Sequence, residues 1–132
     1  MREVVDRIKM LDWHELGVSL AIIHGSVLWS SRPRDVDLVV FVRRGFDEDD
    51  VAIKVMEAVE ITTGLEADVY VISDAASANC FLLLEALRRG VIVYQEPDGR
   101  SMLVKAINIC NDFMLSRLKL KYTETLLERV LK

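Results

Sequence analysis

The sequence is short of cysteine, of long apolar runs and of positive charge, and each shortage excludes a class of protein. Its two cysteines, Cys80 and Cys110, lie far apart in apolar surroundings with no CxxC pair, so we expect reduced core thiols and a cytoplasmic protein. No apolar run approaches the ~18 residues of a membrane-spanning helix, and no signal-peptide pattern opens the chain, so we expect neither secretion nor membrane insertion. The formal charge of −4 argues against a dedicated nucleic-acid binder, which needs a basic face.

The composition favours one globular domain that spans residues 1–132. Hydrophobic residues make up 52% of the chain and charged residues 29%, which is a balance typical of folded proteins. A chain of this length can bury a real core but is too short for two domains. In the helix predicted at 77–89 we expect Phe81, Leu84, Leu87 and their neighbours to face inward. Periodicity predicts helices at 2–16, 46–63, 77–89 and about 100–132, and strands at 18–23, 35–42, 66–72 and 91–94.

The stretch from Ala21 to Val42 carries the polar residues that we expect to perform chemistry. A buried strand ends at Gly25-Ser26, and after a short loop a second apolar strand begins with Asp35-Val36-Asp37. Asp35 and Asp37 project from one strand face about 7 Å apart, where their repulsion favours a bound cation such as Mg²⁺. Backbone N–H groups at Gly25-Ser26, with the Ser26 hydroxyl, could hold a phosphate. The pattern therefore indicates Mg²⁺-assisted chemistry on a nucleoside triphosphate.

A third acidic residue, Asp68, lies near the start of a later apolar strand, 66–72. Asp68, Tyr70 and Ile72 share one strand face, with Val69 and Val71 on the other. Taken alone, an Asp near a strand start is more often a cap or turn residue than a catalyst. The Gly-Ser and Asp-x-Asp residues before it favour a functional interpretation.

The spacing of these residues resembles a known signature. Gly25-Ser26, eight intervening residues, Asp35-Val36-Asp37 and then Asp68 on a later strand are similar to the pattern of the DNA polymerase β-type nucleotidyltransferases. The small single-domain members of that superfamily are the minimal nucleotidyltransferases, or MNT proteins, many of which are the antitoxins of HEPN/MNT toxin–antitoxin pairs. The end of the chain, a helix, a strand, a turn and a long amphipathic helix, also resembles MNT antitoxins.

The resemblance implies a fold, a cofactor and roles for the site residues. The expected fold is α+β, a small central mixed β-sheet with helices packed mainly on one face and a long C-terminal helix. Asp35 and Asp37 would bind Mg²⁺, with two ions expected, and Asp68 would complete the metal site or take the proton from the acceptor hydroxyl. Gly25 and Ser26 would hold the β- or γ-phosphate of ATP in line.

The loop between the two strands departs from the family pattern. Its eight residues are about two fewer than the family signature has, and no Arg and Gly directly follow Gly25-Ser26. Arg34 stands where a Ser or Lys often precedes the first Asp. Arg32 and Arg34 are candidate phosphate contacts, although loop arginines are more often simply solvated. Trp29 could stack on the base, but we expect so large a ring to pack in the core.

The last predicted helix, about 100–132, has two interpretations. Its apolar stripe could pack on its own domain, which is the default for amphipathic helices. Alternatively, its last turns could bind a partner chain, as a homo- or hetero-oligomer, because they carry more apolar groups than a small core can cover. The residues concerned are Leu126, Leu127, Val130 and Leu131.

By resemblance, the leading hypothesis is a protein adenylyltransferase that acts as an antitoxin. It would transfer AMP from ATP to a hydroxyl, expected to be that of a tyrosine, on a HEPN-family RNase toxin. One alternative is a binding-only antitoxin that blocks its toxin by occlusion and has a vestigial metal site. Another keeps the chemistry but uses a small-molecule acceptor, as aminoglycoside nucleotidyltransferases do with the help of an extra domain.

Overall fold

The computed structural model describes the backbone of residues 2–131 and the side chains of residues 3–117. The described backbone contains four α-helices and four β-strands, with two short 3₁₀ turns at Ser26–Leu28 and Ala75–Ser77. In chain order the main elements are α1 (Arg2–Lys9), β1 (Val18–His24), β2 (Asp35–Val42), α2 (Glu48–Thr63), β3 (Glu66–Ile72), α3 (Cys80–Arg89), β4 (Val91–Gln95) and α4 (Pro97–Leu131).

The four strands form one mixed sheet in the order β3-β2-β1-β4. β1 pairs antiparallel with β2 and with β4, whereas β2 and β3 are parallel. The chain dictates this difference, because a short loop joins β1 to β2, while β2 reaches β3 through the crossover helix α2. The prediction of an α+β fold with a mixed sheet and a long C-terminal helix is confirmed.

Helices cover both faces of the sheet, so the expectation that they pack mainly on one face was wrong. The strand β2 shows why, since its residues are apolar on both sides and both sides must be shielded from water. Val36, Leu38 and Val40 pack with residues of α1 and α2, whereas Val39 and Phe41 pack with residues of α3 and α4. The protein therefore has two apolar cores, one on each face of the sheet.

The sequence predicted the inward face of α3 correctly for Leu84 and Leu87 but not for Phe81. Leu83 and Ala86 are fully buried against the sheet, and Leu84 and Leu87 are partly buried beside them. Phe81, which we expected to face inward, is 55% exposed and lies edge-on to Phe113 of α4. The apolar residues of α3 extend around most of the helix, so periodicity alone did not identify the buried side.

Cys80 and Cys110 form a disulfide, so the prediction of two reduced thiols was wrong. Cys80 is the first residue of α3 and Cys110 lies within α4, and both helices pack on the same face of the sheet. That packing brings their Cα atoms to 5.3 Å although 30 residues separate them in sequence. The cysteines consequently give no support to a cytoplasmic location.

The side chains of the long helix α4 are described up to residue 117. In this part of the helix, Leu103, Ala106 and Cys110 are buried against the sheet. The apolar stripe predicted at Leu126–Leu131 lies outside the described side chains. Among the described residues, no helix combines the length and the hydropathy needed to cross a membrane.

Glu96, the residue directly after β4, contacts three side chains from separate parts of the chain. Its carboxylate accepts hydrogen bonds from Tyr94 and from His14 Nδ1 (3.1 Å), and it lies 3.6 Å from Arg43 Nε. Burial works to raise the pKa of Glu96, but the hydrogen bonds from Tyr94 and His14 and the positive charge near it outweigh burial and lower the pKa. The ionised carboxylate therefore stabilises the folded state.

Glu96→Gln is expected to lower the free energy of unfolding at neutral pH by about 1–2 kcal/mol, the usual loss for hydrogen bonds to a charged group. Because the pKa is lowered in the folded state, the stabilisation is present above the unfolded value of 4.5 and is lost as the pH falls through the folded value. Urea unfolding of both proteins across this range should give stability curves that converge in acid. A difference that stays constant with pH would contradict the assignment.

Candidate functional site

Asp37 occupies the centre of a row of polar side chains that crosses three strands. In the register of the sheet, Asp37 lies directly opposite His24 on β1 and opposite Asp68 on β3. Residues directly opposite one another on neighbouring strands project from the same face of a sheet. The structure thus brings together two of the aspartates that the sequence predicted on separate strands, and it adds a histidine.

Asp35 projects from the same face, two residues before Asp37, and its Cα partner on β3 is Glu66. Val39 and Phe41 continue this face into the core beneath α3 and α4. The aspartates lie at the end of the face where β2 and β3 begin, with Asp35 and Asp37 half-buried and Asp68 exposed. Solvent, and hence a polar ligand, has access to the row from this end.

The backbone of Gly25 lies close to the carboxylate of Asp37. Its backbone has φ +86° and ψ −163°, a region that side chains rarely adopt. A Cβ atom at this position would lie only 2.2 Å from Oδ2 of Asp37. Ser26 then begins the 3₁₀ turn, and its carbonyl accepts hydrogen bonds from the N–H groups of Trp29 (3.1 Å) and Ser30 (2.7 Å). Gly25 is required here because the backbone and the Asp37 carboxylate share one small space.

The electrostatics of the row are dominated by negative charge. Burial raises the pKa of Asp37 most, the carboxylate of Asp35 raises it further, His24 opposes this, and Asp68 adds a smaller increase. The carboxylates therefore destabilise one another when all are ionised. A cation among them would remove that repulsion, and an all-oxygen donor set suits Mg²⁺.

The three aspartates are neighbours on the sheet, but they are not an assembled ligand set. Among residues 3–117, no group of three or more His, Cys, Asp or Glu side chains is arranged as it stands to hold a metal ion. Like-charged carboxylates favour rotamers that point apart, and an Asp side chain reorients by rotation about two bonds. The register of the strands, which does not depend on these rotations, keeps the carboxylates at one end of one face. The residues present fit Mg²⁺ in the chemistry of their oxygen atoms and in the strand face that they share, but not in the rotamers that they adopt.

The loop before β2 is open to solvent. Arg32 and Arg34 are exposed, and among the described residues neither takes part in an ion pair. Trp29 is 68% exposed, so the expectation that it packs in the core was wrong. The buried tryptophan is Trp13, whose indole N–H donates to the Ile8 carbonyl (3.0 Å). Trp29 directly follows the 3₁₀ turn Ser26–Leu28, and most of its side chain is left uncovered by the rest of the protein.

Gly25→Ala tests the contact with Asp37. The methyl group would displace the carboxylate, and since a misplacement of about 1 Å can cost about a hundredfold in rate, we expect at least that loss of any activity of this site. The positive φ adds a stability cost of about 1–3 kcal/mol. Gly45→Ala is the matched control, because Gly45 has φ +89° but open space around its Cα. That variant should lose stability and keep activity in the same assays; equal activity losses would refute the contact.

The same fold occurs in solved toxin–antitoxin complexes. A crystal structure of a toxin–antitoxin with AMP-PNP aligns at a TM-score of 0.60 and 14% identity, over 98% of both chains. A structure of tri-AMPylated Shewanella oneidensis HEPN toxin in complex with MNT antitoxin aligns at 0.60 and 16% identity, over 99% of this chain and 98% of that one. The MntA–HepT toxin–antitoxin aligns at 0.58 and 14% identity, over the full length of both chains.

The chain has the fold of the MNT antitoxins. Identities of 14–16% carry the fold alone, and the expectation drawn from the motif is confirmed at that level. No known family profile matches the sequence, and no curated protein matches it.

His24 is the residue of the candidate site that the sequence did not reveal. It precedes Gly25 at the end of a strand whose alternation places Leu20, Ile22 and His24 on one face. The signal was present, because a short loop between β1 and β2 predicts antiparallel pairing and hence a partner for Asp37 on β1. In the MNT fold of this chain, His24 therefore supplies an imidazole beside the carboxylates.

Proposed function

We propose that this chain is a Mg²⁺-dependent nucleotidyltransferase that transfers AMP from ATP to a hydroxyl of a HEPN-family RNase toxin and thereby acts as its antitoxin. The observation that carries the proposal is the position of Asp37, which pairs with Asp68 on β3 and contacts the backbone of Gly25. The likeness to complexes that contain AMP-PNP or an AMPylated HEPN toxin supports it. Because the proposed reaction consumes ATP, we propose a cytoplasmic location for it.

Asp35, Asp37 and Asp68 would hold the metal. Mg²⁺ held there would neutralise negative charge on the triphosphate and on the leaving pyrophosphate. Of the carboxylates, Asp68 is the most exposed and the nearest to solvent on the sheet edge strand β3. We assign it the second role of accepting the proton of the acceptor hydroxyl.

The remaining residues position the nucleotide. Gly25 allows the phosphates to approach the backbone closely, and the hydroxyl of Ser26 donates to a phosphate oxygen. We assign contacts with the β- and γ-phosphates to Arg32 and Arg34, which are exposed in the same loop. The acceptor oxygen forms a bond to the α-phosphorus, the bond from that phosphorus to the β-phosphate oxygen breaks, and pyrophosphate departs.

One observation favours a second candidate, a binding-only antitoxin. The carboxylates, as they stand within the described part of the chain, do not form a ligand set of three. A protein that silences its toxin by occlusion needs the fold but not an assembled metal site. This candidate predicts neutralisation without any covalent change of the toxin.

Intact-mass spectrometry of the toxin separates the two candidates. The toxin is incubated with ATP, Mg²⁺ and either the natural antitoxin, the double variant Asp35→Asn, Asp37→Asn, or Asp49→Asn as a matched control in the exposed first turn of α2. We expect one or more AMP additions with the natural protein and the control, and none with the double variant. A toxin that is neutralised by all three at unchanged mass would establish the binding-only function.

A further inference from the structure

The two sulfur atoms of the bridge between α3 and α4 differ in accessibility. Cys110 is fully buried, whereas Cys80, the first residue of α3, is partly exposed. The N-terminus of a helix favours negative charge, and a thiolate is the reactive form of cysteine. Cys80 is therefore the sulfur that a thiol or disulfide from solution can reach, and the helix stabilises the thiolate that reduction releases there.

The bridge and the ATP-dependent reaction proposed above point to different compartments. Disulfides that persist are typical of oxidising compartments, whereas disulfides in the cytoplasm are usually transient and either catalytic or redox-sensing. A bridge that opens and closes is compatible with both.

We propose that the bridge between Cys80 and Cys110 is a reversible redox site, which exchanges with low-molecular-weight thiols of the glutathione class and controls the order of the candidate site around Asp37. The exchange itself is independent of nucleotidyl transfer. Its effect on activity rests on the proposed function, so exchange and activity are tested by separate measurements.

The chemistry is thiol–disulfide exchange in two steps. A glutathione thiolate bonds to Sγ of Cys80 while the bond to Sγ of Cys110 breaks, and Cys110 keeps the electron pair and takes up a proton. A second glutathione thiolate then attacks the glutathione sulfur of this mixed disulfide and releases Cys80 as a thiolate. Two electrons reach the protein, and two glutathione molecules leave as their disulfide. The reverse sequence restores the bridge.

A short path of contacts joins Cys80 to the aspartates of the candidate site. The backbone N–H of Asn79 donates to the hydroxyl of Tyr70 (2.7 Å), and the side chain of Asn79 caps α3 by accepting from the N–H of Leu82 (3.2 Å). Tyr70 lies on β3 two residues after Asp68 and shares its strand face. The position of the first turn of α3 is therefore coupled to the strand that carries Asp68.

On the outer side of the bridge, half-exposed side chains make the contact between α3 and α4. Phe81 lies edge-on to Phe113, and Arg117 lies over both rings. The two phenyl side chains are 55% and 47% exposed, so their contact removes only part of their surface from water. We therefore expect reduction to loosen the start of α3, ahead of the buried Leu83, and to weaken its hydrogen bond to β3.

Mass spectrometry after thiol alkylation tests the exchange on the full chain. In glutathione buffers that range from fully reduced to fully oxidised, we expect a reversible change from two free thiols to none. Cys110→Ala should add one glutathione at Cys80, whereas Cys80→Ser should add none at the buried Cys110. A bridge that stays closed in reduced glutathione, or equal uptake of glutathione by the two variants, would overturn the proposal.

Amide hydrogen exchange followed by NMR tests the coupling to the site. On reduction, the amide of Asn79 should exchange at least about tenfold faster, because its acceptor is Tyr70. The amide of Asp50, which donates to Asp47 at the start of α2 (3.0 Å), is the matched control and should exchange alike in both states. In Tyr70→Phe, the Asn79 amide should exchange fast whether the bridge is open or closed. An Asn79 rate that ignores the bridge, or an equal acceleration at Asp50, would refute the coupling.

AMP transfer is the functional readout. The reduced protein and the double variant Cys80→Ser, Cys110→Ala should transfer AMP at least about fivefold more slowly than the bridged protein, the lower end of the coupling usual between two sites. Equal rates in the bridged and reduced states would overturn the control of the site. A protein that transfers no AMP in either state, but shows the thiol transition and the Asn79 response, would refute the nucleotidyltransferase function and support the redox site.

Discussion

Asp37→Asn is expected to lower AMP transfer by about a thousandfold while the protein stays folded. Asp37 lies between Asp35, Asp68 and Gly25 in the site, so its replacement by Asn would remove a proposed metal ligand and one negative charge. Losses of that size follow when an electrostatic contact to the reacting phosphates is removed. The measurement is the initial rate of AMP incorporation into the toxin at saturating ATP.

The same variant should be more stable than the natural protein at neutral pH. The pKa of Asp37 is raised above 3.8 in the folded state. The folded protein therefore becomes less stable as the pH rises above 3.8 and the carboxylate ionises. Asn carries no charge and escapes this penalty, and the difference between the two proteins should vanish below about pH 3.8. Asp49→Asn serves as the control and should change neither rate nor stability. Asp37→Asn with full activity, or with a lowered melting temperature, would contradict the site.

Loss of the disulfide is expected to lower the free energy of unfolding by about 3–4 kcal/mol. The bridge between Cys80 and Cys110 closes a loop of 30 residues, and the chain-entropy estimate for a loop of that length gives this value. For a protein of this size the melting temperature should fall by roughly 10–15 °C. Thermal melting followed by circular dichroism, with and without reductant, measures the effect.

The double variant Cys80→Ser, Cys110→Ala provides the control for reductant effects elsewhere in the protein. It should melt at the temperature of the reduced natural protein and should not respond to reductant. A natural protein whose melting temperature ignores reductant, and in which two free thiols are counted before reduction, would show that the bridge does not form in solution.

The sequence predicted those parts of the site that depend on local patterns. The alternation of Asp35 and Asp37 with apolar residues, and of Asp68 with Val69, identified strands and the faces that carry the carboxylates, because a strand repeats every two residues. The turn at Gly25-Ser26 was identifiable for the same reason, since a glycine between two apolar runs marks a break in the chain. These features require no knowledge of which strands are neighbours.

The features that the sequence did not predict all depend on tertiary contacts. The place of His24 beside Asp37 follows from the order of the strands, and the bridge from Cys80 to Cys110 follows from the packing of α3 on α4. Helices on both faces, and an exposed Trp29, likewise reflect how much of each element its neighbours cover. A single sequence shows which residues are apolar, but not which of several apolar sides is buried.

The most direct test of the proposed site is a crystal structure with a non-hydrolysable ATP analogue and Mn²⁺ in place of Mg²⁺, in which anomalous scattering locates the metal. We expect Mn²⁺ to be coordinated by carboxylate oxygens of Asp35, Asp37 and Asp68, with the phosphates of the analogue against Gly25 and Ser26. Metal and nucleotide bound elsewhere, or Asp68 directed away from a metal held by the other two, would contradict it.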